Sequence, residues 1–263
     1  MTKTKTMTMT MTKERILHEK LEVMKHCYEQ RSLENLDLMV GTFFHPSCPA
    51  IVVGTDNGEW FRTTEQFREL FTYDWLHWGD VSIYTWGFEM TESEHYSFIR
   101  VKAILDFHEY RTWDLDILMI FEPYEDDYVC RMMQFKVPRN ILRPTVIINR
   151  SKDEQSRYDV EVKDLNSMAA QNLRADQSAA LAALLTKDLI EKRPDWNNIQ
   201  IPENQVVICS EEGNLDWYFA CTGLCEMGDD RLPFRIIGIA WQTEAGIEII
   251  DSELSMPFFC ELG

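Results

Sequence analysis

The chain carries one long pattern twice. Leu115–Pro138 (LDILMIFEPYEDDYVCRMMQFKVP) aligns without a gap to Phe234–Pro257 (FRIIGIAWQTEAGIEIIDSELSMP). Each copy is an apolar strand, a polar turn region, a second strand and then a hydrophobic residue before proline. Two strands joined by a short polar turn make an antiparallel hairpin. A chain that closes each half with the same hairpin must house two related sheets. Its 263 residues are enough for roughly two small domains. Asp74-Trp75 and Asp195-Trp196 precede the two closing prolines at similar distances. No counterpart of the Gly54–Gly58 turn is found in the second half, so that copy reads as shortened.

The spacing of apolar residues predicts helices first. Ile16, Leu17, Leu21, Met24 and Tyr28 recur at three and four residues, giving a helix over Lys13–Arg31. Ser32 starts a second helix through Leu36, Met39, Val40 and Phe43, ended by His45-Pro46. Ala50–Val53 is a β-branched run closed by the turn residues Gly54-Thr-Asp-Asn-Gly58, with a return strand from Trp60. Thr63 or Thr64 caps a third helix that ends near Asp74-Trp75. From Val81 the period falls to two, and strands are expected at 81–86, 95–107, 113–121 and 128–137. A linker with short strand-like pieces follows over 141–163, then a long Ala/Leu-rich helix to Lys192 and four more strands. The expected architecture is α+β, with helices packed on one face of an antiparallel sheet over 13–140. A second α+β domain over 164–263 is expected after it, and residues 1–12 read as a disordered leader.

Charge removes several functions. Lys and Arg total 26 against 44 Asp and Glu, a net charge of −18. Nucleic acids and anionic membranes are bound chiefly through basic side chains, so neither is an expected partner. No apolar run approaches the roughly 18 residues of a membrane span. The leader lacks the apolar core of an export signal, so a cytoplasmic location is expected. The 7 cysteines then read as free thiols, and no metal is expected, since no His or Cys cluster has ligand spacing. Phosphate-binding glycine loops and serine- or zinc-hydrolase motifs are missing, so no cofactor is expected.

The run Ile51-Val-Val-Gly-Thr-Asp-Asn-Gly-Glu-Trp-Phe61, the helix ending in Tyr73-Asp74-Trp75 and four strands closing in hydrophobic-Pro resemble the NTF2-like (SnoaL-like) superfamily, in particular a group of uncharacterised bacterial members. The resemblance covers about residues 13–140 and reaches the second half through its closing hairpin. It implies a conical pocket between a curved sheet and its helices, and a homodimer through the outer face of the sheet. In the resembling group the last strand often reads His-x-Ser-x-Pro. Here Gln134-Phe-Lys-Val-Pro138 and Glu253-Leu-Ser-Met-Pro257 stand in its place, which puts chemistry by that histidine in doubt.

Within such a pocket, Trp60, Trp75, Trp78, Trp86 and Trp113 offer an aromatic lining, and Gln134 a polar group. Asp74 is the best candidate acid or base, because a carboxylate among apolar side chains is desolvated. His77 or Tyr73 would be its partner. By strand alternation Phe98, Arg100 and Lys102 share one face and Ile99, Val101 and Ala103 the other. If the basic face looks inward, Arg100 would hold a ligand carboxylate; if outward, Arg100 and Lys102 are solvated or cross a dimer interface. Asp251 and Glu253 also share a strand face, as paired carboxylates or as a solvated acidic edge. Three functions are left open: binding of a hydrophobic small molecule, cofactor-independent lyase, isomerase or cyclase chemistry at Asp74, and a scaffold that associates through its sheets.

Overall fold

The computed structural model describes residues 12–55, 60–77, 81–108, 111–136, 175–203, 206–209, 216–228 and 230–256. Most of the leader, all of the linker and the tip of the Gly54–Gly58 turn lie outside these residues. The first unit runs α1 (Lys13–Glu29), α2 (Leu33–Phe43), β1 (Ile51–Val53), β2 (Trp60–Phe61), α3 (Thr64–His77), β3 (Ser82–Glu92), β4 (Ser97–Phe107), β5 (Arg111–Tyr124) and β6 (Asp127–Lys136). The second runs α4 (Ala175–Lys192), β7 (Asn197–Gln200), β8 (Val206–Cys209), β9 (Asp216–Met227), β10 (Asp230–Thr243) and β11 (Gly246–Ser255).

Local chemistry sets the helix starts. Thr12 and Ser32 cap α1 and α2, their hydroxyls accepting from the backbone N–H of Arg15 and Asn35. At α3 the Thr63 hydroxyl accepts from the N–H of Gln66, and the Gln66 side chain accepts from the N–H of Thr63, a reciprocal capping box.

The first sheet has six strands in the order β2-β1-β6-β5-β4-β3. It is antiparallel except where β1 runs parallel to β6. The three helices pack on one face, the expected α+β arrangement of helices on a mainly antiparallel sheet. The second sheet has the order β11-β10-β9-β7, with β8 also on β9. Its hairpin repeats the first in detail. β5 and β10 are each 14 residues long, and β6 and β11 each 10. A one-residue bulge falls at aligned positions, Arg131 in the first hairpin and Ile250 in the second.

The two sheets pack face to face. Ile51, Val53, Phe98, Leu118, Ile120 and Met132 meet Tyr218, Ala220, Ile237 and Ile239 in one buried cluster. The molecule is thus a stack of helices, sheet, sheet and helix, with α4 on the far face of the second sheet. Part of the outer face expected to serve a homodimer is therefore covered within the chain itself. Burying that apolar face against a covalently linked sheet satisfies what a second subunit would otherwise supply. Among the described residues no helix is long and apolar enough to cross a membrane, and no group of three His, Cys, Asp or Glu is placed to hold a metal ion.

Candidate ligand cleft at the end of the helical layer

The space between helices and first sheet is filled by side chains, among them Met24, Phe43, Phe67, Phe71, Ile117 and Met119, all buried. Polar chemistry enters this layer at one end. On α3 the buried positions are Phe67, Leu70, Phe71 and Asp74, the spacing of one helical stripe. Asp74 thus takes a core position and is only 6% exposed. On α1 the stripe Leu17, Leu21, Met24 ends in Tyr28. The Tyr28 hydroxyl donates to Asp74 Oδ2 at 2.9 Å. Phe71 and Trp75 pack edge-on to the Tyr28 ring, with centroids 6.5 and 6.2 Å away. A carboxylate here is surrounded by rings, and its phenol partner supplies one of the hydrogen bonds it needs.

Trp75 follows Asp74 on α3 and packs against the Tyr28 ring. Its indole Nε1 is buried and has no hydrogen-bond partner. Its carbonyl accepts from Arg31 Nη1 at 3.3 Å, and Arg31 Nε donates to the Tyr28 carbonyl at 3.0 Å. Beside Trp75 lies a cleft of about 710 Å³ where the ends of α1, α2 and α3 converge. Its lining mixes the apolar Leu33, Leu36, Trp75 and Leu76 with the polar Glu29, Gln30, Arg31, Ser32, Asn35 and Thr72, and Leu33 and Leu76 are strongly exposed. The pair can hold or pass a proton, and the cleft can take an apolar body.

The remaining sequence candidates are scattered, and strand alternation is the reason. Trp113 lies on the helix side, edge-on to Phe107 at 5.1 Å. Trp60 lies on the other side, against the cluster between the sheets. Arg100 also faces the second sheet, where Nε donates to Glu253 at 2.6 Å and Nη2 to Asp251 at 2.5 Å. Burial pulls the Arg100 guanidinium down, but the hydrogen bonds and charges of Glu253 and Asp251 outweigh it and hold it above its ordinary value. The outward alternative for Arg100 is the one adopted, and Asp251 and Glu253 form its clamp rather than a solvated edge. Gln134, buried, donates from Nε2 to Ser255 Oγ at 2.5 Å in the same seam. Trp86 is 69% exposed on β3. Tyr73 points outward at 54% exposure. Trp78 and the His77 side chain lie outside the described residues. Of the predicted set, among the described residues, Trp75 lines the cleft and Asp74 lies next to it in the chain, buried against Tyr28. Tyr28 and Arg31 were missed as site residues. Tyr28 had been read as part of an apolar stripe, and its one distinguishing signal was a hydroxyl at the end of that stripe.

No protein-family model and no curated protein matches this sequence. Solved structures similar in fold do exist. A protein of unknown function with a cystatin-like fold from Nostoc punctiforme is 9% identical, with a TM-score of 0.41, covering 50% of this chain and 97% of that one. An NTF2-like protein of unknown function from Pseudomonas putida is 5% identical, with a TM-score of 0.41, covering 48% and 86%. Nuclear transport factor 2 from Cryptosporidium parvum is 10% identical, with a TM-score of 0.39, covering 48% and 94%.

Proposed function

We propose that this chain binds a small, mainly apolar molecule in the cleft where α1, α2 and α3 end. In this reading residues 13–140 are the binding unit, and residues 164–263 are a reduced copy of its sheet that closes the outer face. The observation that carries it is the bond from Tyr28 to Asp74, buried on two otherwise apolar helix stripes, one side chain behind the cleft wall. Buried polar groups in a core cost stability unless satisfied, and apolar residues at both positions would serve packing better. The pair is explained if a ligand's polar group meets it once Trp75 shifts.

The test is a tryptophan-fluorescence titration of the full chain with hydrophobic small acids and ketones. Tyr28→Phe and Trp75→Ala are each expected to weaken the best ligand by about tenfold or more, the usual weight of a central contact. Trp113→Phe should leave its affinity within about twofold. A panel without any binder, or equal affinities in all variants, refutes the proposal.

A second reading draws on the same bond. A carboxylate held by a phenol in an apolar site can act as a general base without a cofactor. Lyase, isomerase or cyclase chemistry would then run through Asp74, with Tyr28 as a positioning residue and His77 or Tyr73 as further proton carriers. Deuterium exchange next to the carbonyl of a bound ketone, lost in Asp74→Asn while binding persists, separates this reading from binding alone.

A further inference from the structure

The second sheet covers only part of the outer face of the first. β11 crosses it at the row Arg100–Leu118–Gln134, where Glu253 and Asp251 clamp Arg100. Beyond that row no element of the second sheet among the described residues pairs with or packs on the face. Register places Lys102 beside Asp116, then Tyr84, Ile104 and Asp114 side by side, then Ser82, Asp106 and Thr112. Tyr84 is 52% exposed and Trp86 69%.

A bulge makes this surface. Thr85 pairs with Ala103 and Gly87 with Lys102, so Trp86 is the extra residue. Gly87 has no side chain, and a Cβ there would come within 3.1 Å of the Lys102 side chain. Trp86 thus supplies the only β3 side chain opposite Lys102. Nothing in core packing asks for a large indole at an exposed bulge on an edge strand, since such positions favour small or charged residues.

Charge selects the partner. Lys102 Nζ is held by Asp116 at 2.8 Å, and Lys136, on the other side of Asp116 in the same row, reaches Glu253 at 4.0 Å, so both lysines of the row face carboxylates. Asp106 and Asp114 then leave it negative, on a chain whose net charge is −18. Aromatic faces flanked by carboxylates attract cations through the ring quadrupole and through direct pairing. We infer that the open face around Tyr84 and Trp86 docks a basic peptide segment of a protein partner, a Lys or Arg side chain lying on the Trp86 ring while Asp106 and Asp114 pair with its neighbours. This site is independent of the helix-end cleft, which lies on the other side of the sheet.

The experiment uses the full chain and a capped decapeptide of alternating Arg and Gly, followed by Trp fluorescence and calorimetry. Trp86→Ala and Tyr84→Ala are each expected to lower affinity about tenfold. Asp106→Asn with Asp114→Asn should lower it about three- to tenfold and flatten its salt dependence. Glu125→Gln with Asp126→Asn, at the distant β5–β6 turn, should change it by less than about twofold. Far-UV circular dichroism checks that each variant is folded. Equal losses from the distant pair and from the patch would mean unspecific attraction to an acidic chain, and would overturn the inference. So would equal binding of a Gln-Gly peptide, or a wild-type dimer by light scattering that Trp86→Ala dissolves.

Discussion

Removing Arg100 should cost the seam between the sheets much of its stability. Arg100→Leu deletes two charge-assisted hydrogen bonds and leaves Asp251 and Glu253 facing each other, their side chains only 17% and 25% exposed. Each such bond contributes about 1.5–3 kcal/mol when one partner is charged. Partial exposure lets water repay some of this, so the expected loss is about 2–3 kcal/mol rather than the sum. For a protein of this size that lowers Tm by about 5–10 °C. Equilibrium urea denaturation followed by tryptophan emission measures it directly. The same geometry makes a second forecast. Arg100→Leu combined with Asp251→Val and Glu253→Val removes the orphaned charges and should return to within about 1 kcal/mol of the parent. A single variant that costs less than about 0.5 kcal/mol, or a triple variant less stable than the single one, would refute the argument that desolvated carboxylates set the magnitude.

Two other expectations follow from packing and burial. Gly238→Ala should destabilise by about 2–3 kcal/mol, because a Cβ there would stand 2.5 Å from the Asp251 carbonyl and 2.6 Å from the Phe219 ring; thermal unfolding reads it, and a neutral result would mean that β10 and β11 can spread. Burial pushes the Cys221 and Cys225 thiols up to about 12, and raises those of Cys27 and Cys130 as well. At pH 8 these four stay protonated and shielded, so iodoacetamide should label the half-buried Cys48 first and reach the four only on unfolding, as peptide mass mapping would show.

The helices and strands were legible because each is amphipathic at its own period. α1 ends two residues short of the predicted Arg31, and β3 runs through Gly87 to Glu92 rather than stopping at Trp86. That extension was hidden because the bulge at Trp86 breaks the alternation on which a strand is recognised. β7 was not predicted at all: Asn197-Asn-Ile-Gln200 has one apolar residue and is held by pairing to β9. The two closing hairpins were readable as strand–turn–strand, but their equal strand lengths were not, since the sequence patterns placed the ends of β5 and β10 differently. The direction of each strand face was not. β4 is covered by helices on one side and, near Phe98 and Arg100, by the second sheet on the other, so its pattern does not say which face looks toward the helices. For the same reason the tryptophans could be counted but not assigned to one cavity. Asp74 was found because a carboxylate on an apolar stripe is visible in sequence, whereas Tyr28 fits such a stripe so well that its hydroxyl goes unnoticed.

The seam between the sheets has one more consequence. In a symmetric pair of identical subunits every residue must suit its own mirror position, and a new arginine arrives twice. Here the facing surfaces are written by different stretches of a single polypeptide. A cation on one can be answered by two anions on the other without any change in return. The union is also insensitive to dilution, since its halves cannot diffuse apart. Each face is thereby free to drift on its own, one keeping a full set of helices over its sheet and the other serving as its backing.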